Sequence, residues 1–163
     1  GIPLNYRGGL ELFASEQGVL VLGWLKILIN EKDIYGWLPV LDKEGYIYKE
    51  TVQFLKIVSE KNSNAEKLFS DLPEELSEFI NHLRKFRSNI LFAIEAILSR
   101  YKFHDETGNK IISVVQSWMN SDLLSLNDLV KIIERSAKTE FDKADTPKKQ
   151  IQYIVTLLRQ NAR

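Results

Sequence analysis

The sequence predicts an all-α protein, a compact multi-helix bundle or a short right-handed superhelix. Apolar residues recur at helical spacing along most of the chain. Leu76, Phe79, Ile80 and Leu83 fall at i, i+3, i+4 and i+7. So do Leu126, Leu129, Val130 and Ile133, and Ile151, Ile154, Val155 and Leu158. Each set forms one stripe on a helix. Strand signals are weak: only Gly45-Tyr-Ile-Tyr48 resembles a strand, and it is too short to build a sheet. Linkers are short, which favours antiparallel neighbours in one bundle. No fixed-period repeat points to a long solenoid.

The elements follow in order. A short helix is expected near 9–16. Val19 to Ile29 is apolar on nearly every side, so the helix at 18–31 is expected to be central and most buried. Helices at 34–42 and 47–60 come next, the latter carrying the Val52 to Val58 period. Ser63 with Glu66 and Asp71 with Glu74 have capping-box spacing and open helices at 64–70 and 73–86. The segment Ile90 to Tyr101 lies in a helix at 88–102. The polar stretch His104 to Asn109 marks a weak boundary before a helix at 108–120. Ser125 with Asp128 opens 125–141, and Thr146-Pro147, an N-cap followed by proline at the first helical position, opens 147–161. Gly18, Gly36, Gly45 and Gly108 punctuate the pattern. Trp24, Leu25 and Leu28 are expected to be buried with Phe79 and Leu83. Ile111, Val115, Trp118, Leu129 and Ile133 form a second apolar surface, expected to dock the 108–163 helices on the 88–102 helix.

Composition narrows the function classes. The 163 residues carry 22 Lys plus Arg against 22 Asp plus Glu, with a pI near 7.0. That removes the simplest argument for nucleic acid, which needs a strongly basic domain. With no cysteine there is no disulfide framework, thiolate zinc site or cysteine nucleophile. Two histidines argue against a multi-histidine metal site. The longest apolar stretch, Gly18 to Asn30, contains Lys26 and is too short to span a bilayer. No export signal opens the chain, and the abrupt ends suggest a domain excised from a longer protein.

No catalytic, cofactor-binding or metal-ligating set stands out. Gly8-Gly9 lacks the lysine and hydroxyl of a phosphate loop, and no G-x-S-x-G elbow is present. Glu74-Glu75 sits in a first helical turn, where carboxylates favour the macrodipole. His82 falls on a solvated face and His104 in the polar linker. Two features carry more weight. The run His82, Arg84, Lys85, Arg87 ends a helix; it caps open carbonyls there or anchors an acidic peptide or phosphate. The aromatic set Trp24, Trp37, Tyr46, Tyr48 and Phe54 reads first as core, with Trp37 or Tyr48 as the residues that would line a peptide groove. The C-terminal cations Lys138, Lys143, Lys148, Lys149, Arg159 and Arg163, partly offset by Glu140, Asp142 and Asp145, read as a solvated face.

Two segments together resemble the TFIIS N-terminal domain family, the LW-type helical bundles of transcription regulators. One is Ser15-Glu-Gln-Gly-Val-Leu-Val-Leu-Gly-Trp-Leu25. The other is Phe79-Ile-Asn-His-Leu-Arg-Lys-Phe-Arg87 followed by Ala93-Ile-Glu-Ala-Ile-Leu-Ser-Arg-Tyr-Lys102, similar to the family's basic turn and closing helix. Val52-Gln-Phe-Leu-Lys-Ile-Val58 sits where the family has its central Leu-rich helix. The likeness is to the extended versions in LUMINIDEPENDENS-like and phosphatase nuclear-targeting-subunit-like proteins. It covers about residues 10–102 of a single helical domain, with 108–163 as a C-terminal helical extension. Tyr101 stands where the family has a closing Trp, the Leu-Pro turn is missing, and Asp33 to Gly45 is an insertion.

The resemblance implies a non-enzymatic protein-interaction module of a nuclear transcription or chromatin regulator. Such a module binds short disordered segments of partner proteins. An apolar anchor would enter a crevice lined by Trp37 and Phe86, and acidic flanks would meet Arg84, Lys85 and Arg87, with His82 alongside. No cofactor and no membrane are implied. The runner-up is a nucleic-acid-binding helical accessory domain of a transcription or replication factor, using the basic C-terminal helix.

Overall fold

The computed structural model describes residues 9–60 and 72–141, with side chains up to Arg135. A 3-10 helix, Leu10–Ala14, precedes seven α-helices: α1 Glu16–Ile29, α2 Ile34–Lys43, α3 Tyr48–Ser59, α4 Glu74–Arg84, α5 Ile90–Arg100, α6 Glu106–Ser121 and α7 Leu126–Phe141. No strand occurs among the described residues; Gly45 to Tyr48 is a turn leading into α3. The helices expected at 64–70 and 147–161, with their caps Ser63/Glu66 and Thr146/Pro147, lie outside the described residues.

Three helices start with the same device. Ser15 accepts from the Gly18 amide at 3.1 Å, Asp33 from Gly36 at 3.2 Å and Asp105 from Gly108 at 2.8 Å. In each case a short polar side chain satisfies an open amide of the first turn. Three of the four glycines expected to punctuate the pattern are thus the third residues of α1, α2 and α6; Gly45 lies in the turn after α2, with φ 89°. At Gly18 and Gly108 glycine is required by the chain doubling back: a Cβ on Gly18 would lie 2.2 Å from the Leu12 carbonyl oxygen, and one on Gly108 1.9 Å from that of Phe103. Ser125 and Asp128 form the expected capping box, with amide-to-side-chain distances of 3.1 Å in both directions. The start of α4 differs from expectation: Pro73 is its N-cap and supplies no side-chain bond.

The α5 C-terminus closes as a Schellman motif. Phe103 N–H donates to the Leu98 carbonyl at 2.8 Å and Lys102 N–H to that of Ser99 at 3.2 Å. Lys102 holds the left-handed position, φ 57°, where glycine is usual. The chain turns directly into α6, so the polar stretch after Phe103 is a tight link and not a boundary.

Buried side chains from Leu10 to Ile133 form one cluster, with α1 at its centre. Trp24 and Leu25 are fully buried and Leu28 nearly so. Leu83 is fully buried as expected, whereas Phe79, expected to be buried, is half-buried and packs edge-on against Trp24 at 5.0 Å. The tightest approach is between α1 and α2. A Cβ on Gly36 would lie 2.8 Å from the Gly23 carbonyl oxygen, and one on Gly23 would meet the Gly36 carbonyl oxygen and the Pro39 ring, each at 2.9 Å. The two contact points share Gly-Trp-Leu and a following leucine, in Gly23-Trp-Leu-Lys-Ile-Leu28 and Gly36-Trp-Leu-Pro-Val-Leu41. Helix α2 is therefore a core helix, with Ile34, Trp37, Val40 and Leu41 buried.

Ile111, Val115, Trp118, Leu129 and Ile133 are all buried in the same cluster. Helix α6 docks on α5 as expected, but α7 docks chiefly on α1 and the 3-10 helix. Lys26 of α1 pairs with Glu134 of α7 at 2.8 Å, and Phe13 stacks on Trp118 at 6.0 Å.

Two substitutions probe this packing by thermal or denaturant melting. Gly36→Ala is expected to destabilise by about 1–3 kcal/mol through overpacking, although alanine is the better helix former. Leu83→Ala is expected to cost roughly 2–5 kcal/mol. Wild-type stability in either variant would contradict the packing.

Candidate interaction surface

The site residues are held by two polar clusters that start from the two indoles of an aromatic ladder. Phe79, Trp24, Trp37 and Phe54 contact in series at 5.0, 5.9 and 4.9 Å, joining α4, α1, α2 and α3, and Tyr46 extends the series from Phe54 at 6.3 Å. Edge-to-face contacts of this kind add specificity beyond area burial.

Each buried indole N–H needs an acceptor. Trp24 Nε1 donates to the Tyr101 hydroxyl at 2.9 Å, which donates to Glu44 Oε1 at 2.7 Å. Arg100 grips the same carboxylate with both ends of its fork, Nε to Oε1 at 2.8 Å and Nη2 to Oε2 at 3.0 Å. Its guanidinium also lies 4.8 Å from the centre of the Phe79 ring. Burial pushes the Glu44 carboxyl up, but the bonds from Arg100 and Tyr101 and the Arg100 charge outweigh it and hold it below its ordinary value. Burial opposes the Arg100 charge, and Glu44 overcomes it, so that pKa is raised. Burial, and then the bond to the Glu44 carboxylate, push the Tyr101 phenol well above its ordinary value. The Tyr101 hydroxyl makes this relay possible, accepting from Trp24 and donating to Glu44.

The second cluster holds the basic turn. Trp37 Nε1 donates to the Glu31 backbone carbonyl at 2.7 Å. The Glu31 carboxylate then accepts from Arg84, Nε at 2.7 Å and Nη2 at 2.6 Å, and from Arg87 Nη2 at 3.4 Å. Asn81 Oδ1 takes a further Arg84 bond at 2.9 Å. The loop between α1 and α2 is thus tied to the end of α4. Past that tie the chain turns through Phe86 N–H to the Leu83 carbonyl and Asn89 N–H to the Phe86 carbonyl, both at 2.9 Å, and enters α5.

The residues expected to bind a partner separate into two groups. Trp37 has no exposed surface. It is a core residue that fixes Glu31, and not the wall of a crevice. Arg84 is half-buried and committed to Glu31 and Asn81, so it positions the turn. His82, Lys85 and Arg87 are exposed and Phe86 is half-buried. His82 meets Phe86 edge-on at 5.0 Å, and Phe86 leans on Phe92 at 6.0 Å. Phe92, 53% exposed, completes an aromatic surface beside the two cations. The sequence carried a signal for it: the α5 stripe is Ile90, Ala93, Ile94, Ile97 and Leu98, and Phe92 is an aromatic off that stripe. Tyr48, the other candidate groove residue, is exposed beside Ile47 at the start of α3, away from the turn in sequence.

Among the described residues no group of three or more His, Cys, Asp or Glu could hold a metal ion. No described helix is long and apolar enough to cross a membrane. The cations from Lys143 onward lie outside the described residues. No protein-family model, curated protein or solved structure matches the chain.

The Glu44 cluster has a pH consequence. A carboxyl whose folded pKa is lowered stabilises the fold above its unfolded pKa, and that contribution is lost as pH falls through the folded pKa. Glu44→Gln is expected to reduce stability by roughly 1–3 kcal/mol at neutral pH, since Arg100 loses a charged partner. The gap to wild type should close in acid, as read by melting at stepped pH. A gap independent of pH would show that the charge of Glu44 does not contribute.

Proposed function

We propose that this chain is a protein-interaction module of a nuclear transcription or chromatin regulator, without enzymatic activity. It binds short disordered segments of partner proteins at the turn between α4 and α5. The observation that carries this is the exposed aromatic surface of Phe92, Phe86 and His82 beside Lys85 and Arg87. The surface is suited to a segment with an aromatic or apolar anchor and acidic flanks. The anchor supplies most of the affinity by displacing water from the rings, while the cations steer encounter. The nuclear setting and the kind of partner rest on the resemblance to the TFIIS N-terminal domain family. One of the two segments that carry the resemblance, Phe79 to Arg87 with Ala93 to Lys102, includes this turn.

The site geometry selects the variants. Reversing Arg84 or Arg87 would set a carboxylate against Glu31, which pairs with both, so Lys85 is the charge to reverse. A ligand chosen from a display library of acidic-flanked apolar peptides serves as the probe. Phe92→Ala is expected to weaken its binding by about 2 kcal/mol, more than tenfold. Lys85→Glu should slow association and flatten its salt dependence, with helical content unchanged. Equal binding by wild type and both variants would refute the assignment of this surface. Binding of DNA or RNA by the chain with a steep salt slope, and of no peptide, would favour the nucleic-acid reading instead.

A further inference from the structure

Glu31 holds the two arginines of the turn unequally. Three N–H groups converge on one oxygen of its carboxylate, Oε1: Arg84 Nε at 2.7 Å, Arg84 Nη2 at 2.6 Å and Arg87 Nη2 at 3.4 Å. A carboxylate oxygen has about two lone pairs to offer. Arg84 takes them at charge-assisted distances, and Arg87 is left with a contact beyond the usual hydrogen-bond range. Exposure runs the same way: the Arg87 side chain is 52% exposed, against 31% for Arg84 and 17% for Glu31. An exposed ion pair of that geometry contributes little to the fold. Arg87 therefore presents a planar fork of donors beside Phe86 in the turn, with a weak hold on its own partner.

On the reading that this surface binds acidic-flanked segments, we propose that Arg87 exchanges partners on binding: it leaves Glu31 for a carboxylate of the bound segment, while Arg84 keeps Glu31. Glu31 is thus an internal competitor that stands in for the partner's acid while the surface is empty. The exchange does not strand the Glu31 charge, because both short bonds from Arg84 remain. It also makes Arg87 the residue that selects a carboxylate at one defined place in the partner, since a planar fork asks for two oxygens in its own plane. Lys85 is a point charge on a flexible stem; it steers an acidic segment without that demand.

The test is a double-mutant cycle between the full chain and an acidic-flanked aromatic peptide chosen by display. Each Asp or Glu of the peptide is changed in turn to Asn or Gln. At one acidic position the loss of the carboxylate should weaken binding to wild type about fivefold, and to Arg87→Gln less than about twofold. Lys85→Gln should keep the wild-type ratio at that position. Glu31→Gln, whose amide oxygen can still accept from Arg84, should raise the ratio above wild type, because the competing charge is gone. Equal ratios in wild type and Arg87→Gln at every acidic position would overturn the exchange, as would a ratio unchanged or lowered by Glu31→Gln. Phe92→Ala reports separately on the surface and should weaken the acidic and neutralised peptides alike. If it does so while the Arg87 ratios stay equal, the exchange falls and the docking surface stands. If it weakens neither peptide, both fall.

Discussion

Trp24 sets the constraint on which the rest of the structure depends. It is fully buried at the centre of α1, and its ring touches Trp37 and Phe79. A side chain of that size fills the middle of the bundle, but it brings a polar N–H into a place without water. Leaving that donor unpaired costs about 1–3 kcal/mol. The fold meets the requirement with the Tyr101 hydroxyl, and Tyr101 in turn needs an acceptor, which is Glu44. Glu44 is a carboxylate with little exposure and needs a cation, which is Arg100. One indole therefore fixes the end of α2 against the end of α5, and Arg100 closes the circuit over Phe79 of α4. The Gly23–Gly36 contact belongs to the same constraint, because only helices without side chains at their closest point bring Trp24 and Trp37 within ring contact.

Trp37 repeats the solution at the other side and links the core to the surface. Its N–H takes the Glu31 backbone carbonyl, and the Glu31 side chain takes Arg84 and Arg87. A buried residue thus orients an exposed turn through one intermediate. What remains outward is a small aromatic face with Lys85 and Arg87 at its edge. Under the proposed function, a surface held this way is formed before a partner arrives, so little ordering cost would fall on binding.

Much of the fold was legible because it rests on local rules. The stripes at 76–83 and 126–133, the continuous apolar run of α1 and the Ser125–Asp128 box each specify an element without tertiary information. The glycines were harder. Gly18, Gly36 and Gly108 carry the usual mark of a helix break, yet they sit in first turns of helices where a Cβ has no room: the chain just before them passes too close at Gly18 and Gly108, and helix α1 does at Gly36. Only the three-dimensional path shows that. The site was partly legible: His82, Lys85, Phe86 and Arg87 share the turn, as their spacing implies. Arg84 and Trp37 could not be sorted from binding residues by spacing, since their roles depend on Glu31, more than fifty residues before Arg84 and opposite in charge. Phe92 was visible as an aromatic off its helix's apolar stripe. The docking of α7 on α1 was not visible, because an amphipathic stripe says that a helix packs without saying on what.

The most direct measurement of the central claim is residue-resolved. In a two-dimensional amide NMR titration of the chain with an acidic-flanked aromatic peptide, shift changes should concentrate at His82, Lys85, Phe86, Arg87 and Phe92. The Trp24 and Trp37 indole N–H signals should stay in place, because the core that holds the turn does not move. Changes centred on the α6–α7 turn or on Ile47 and Tyr48, or large movements of the two indoles, would contradict a preformed site at the end of α4.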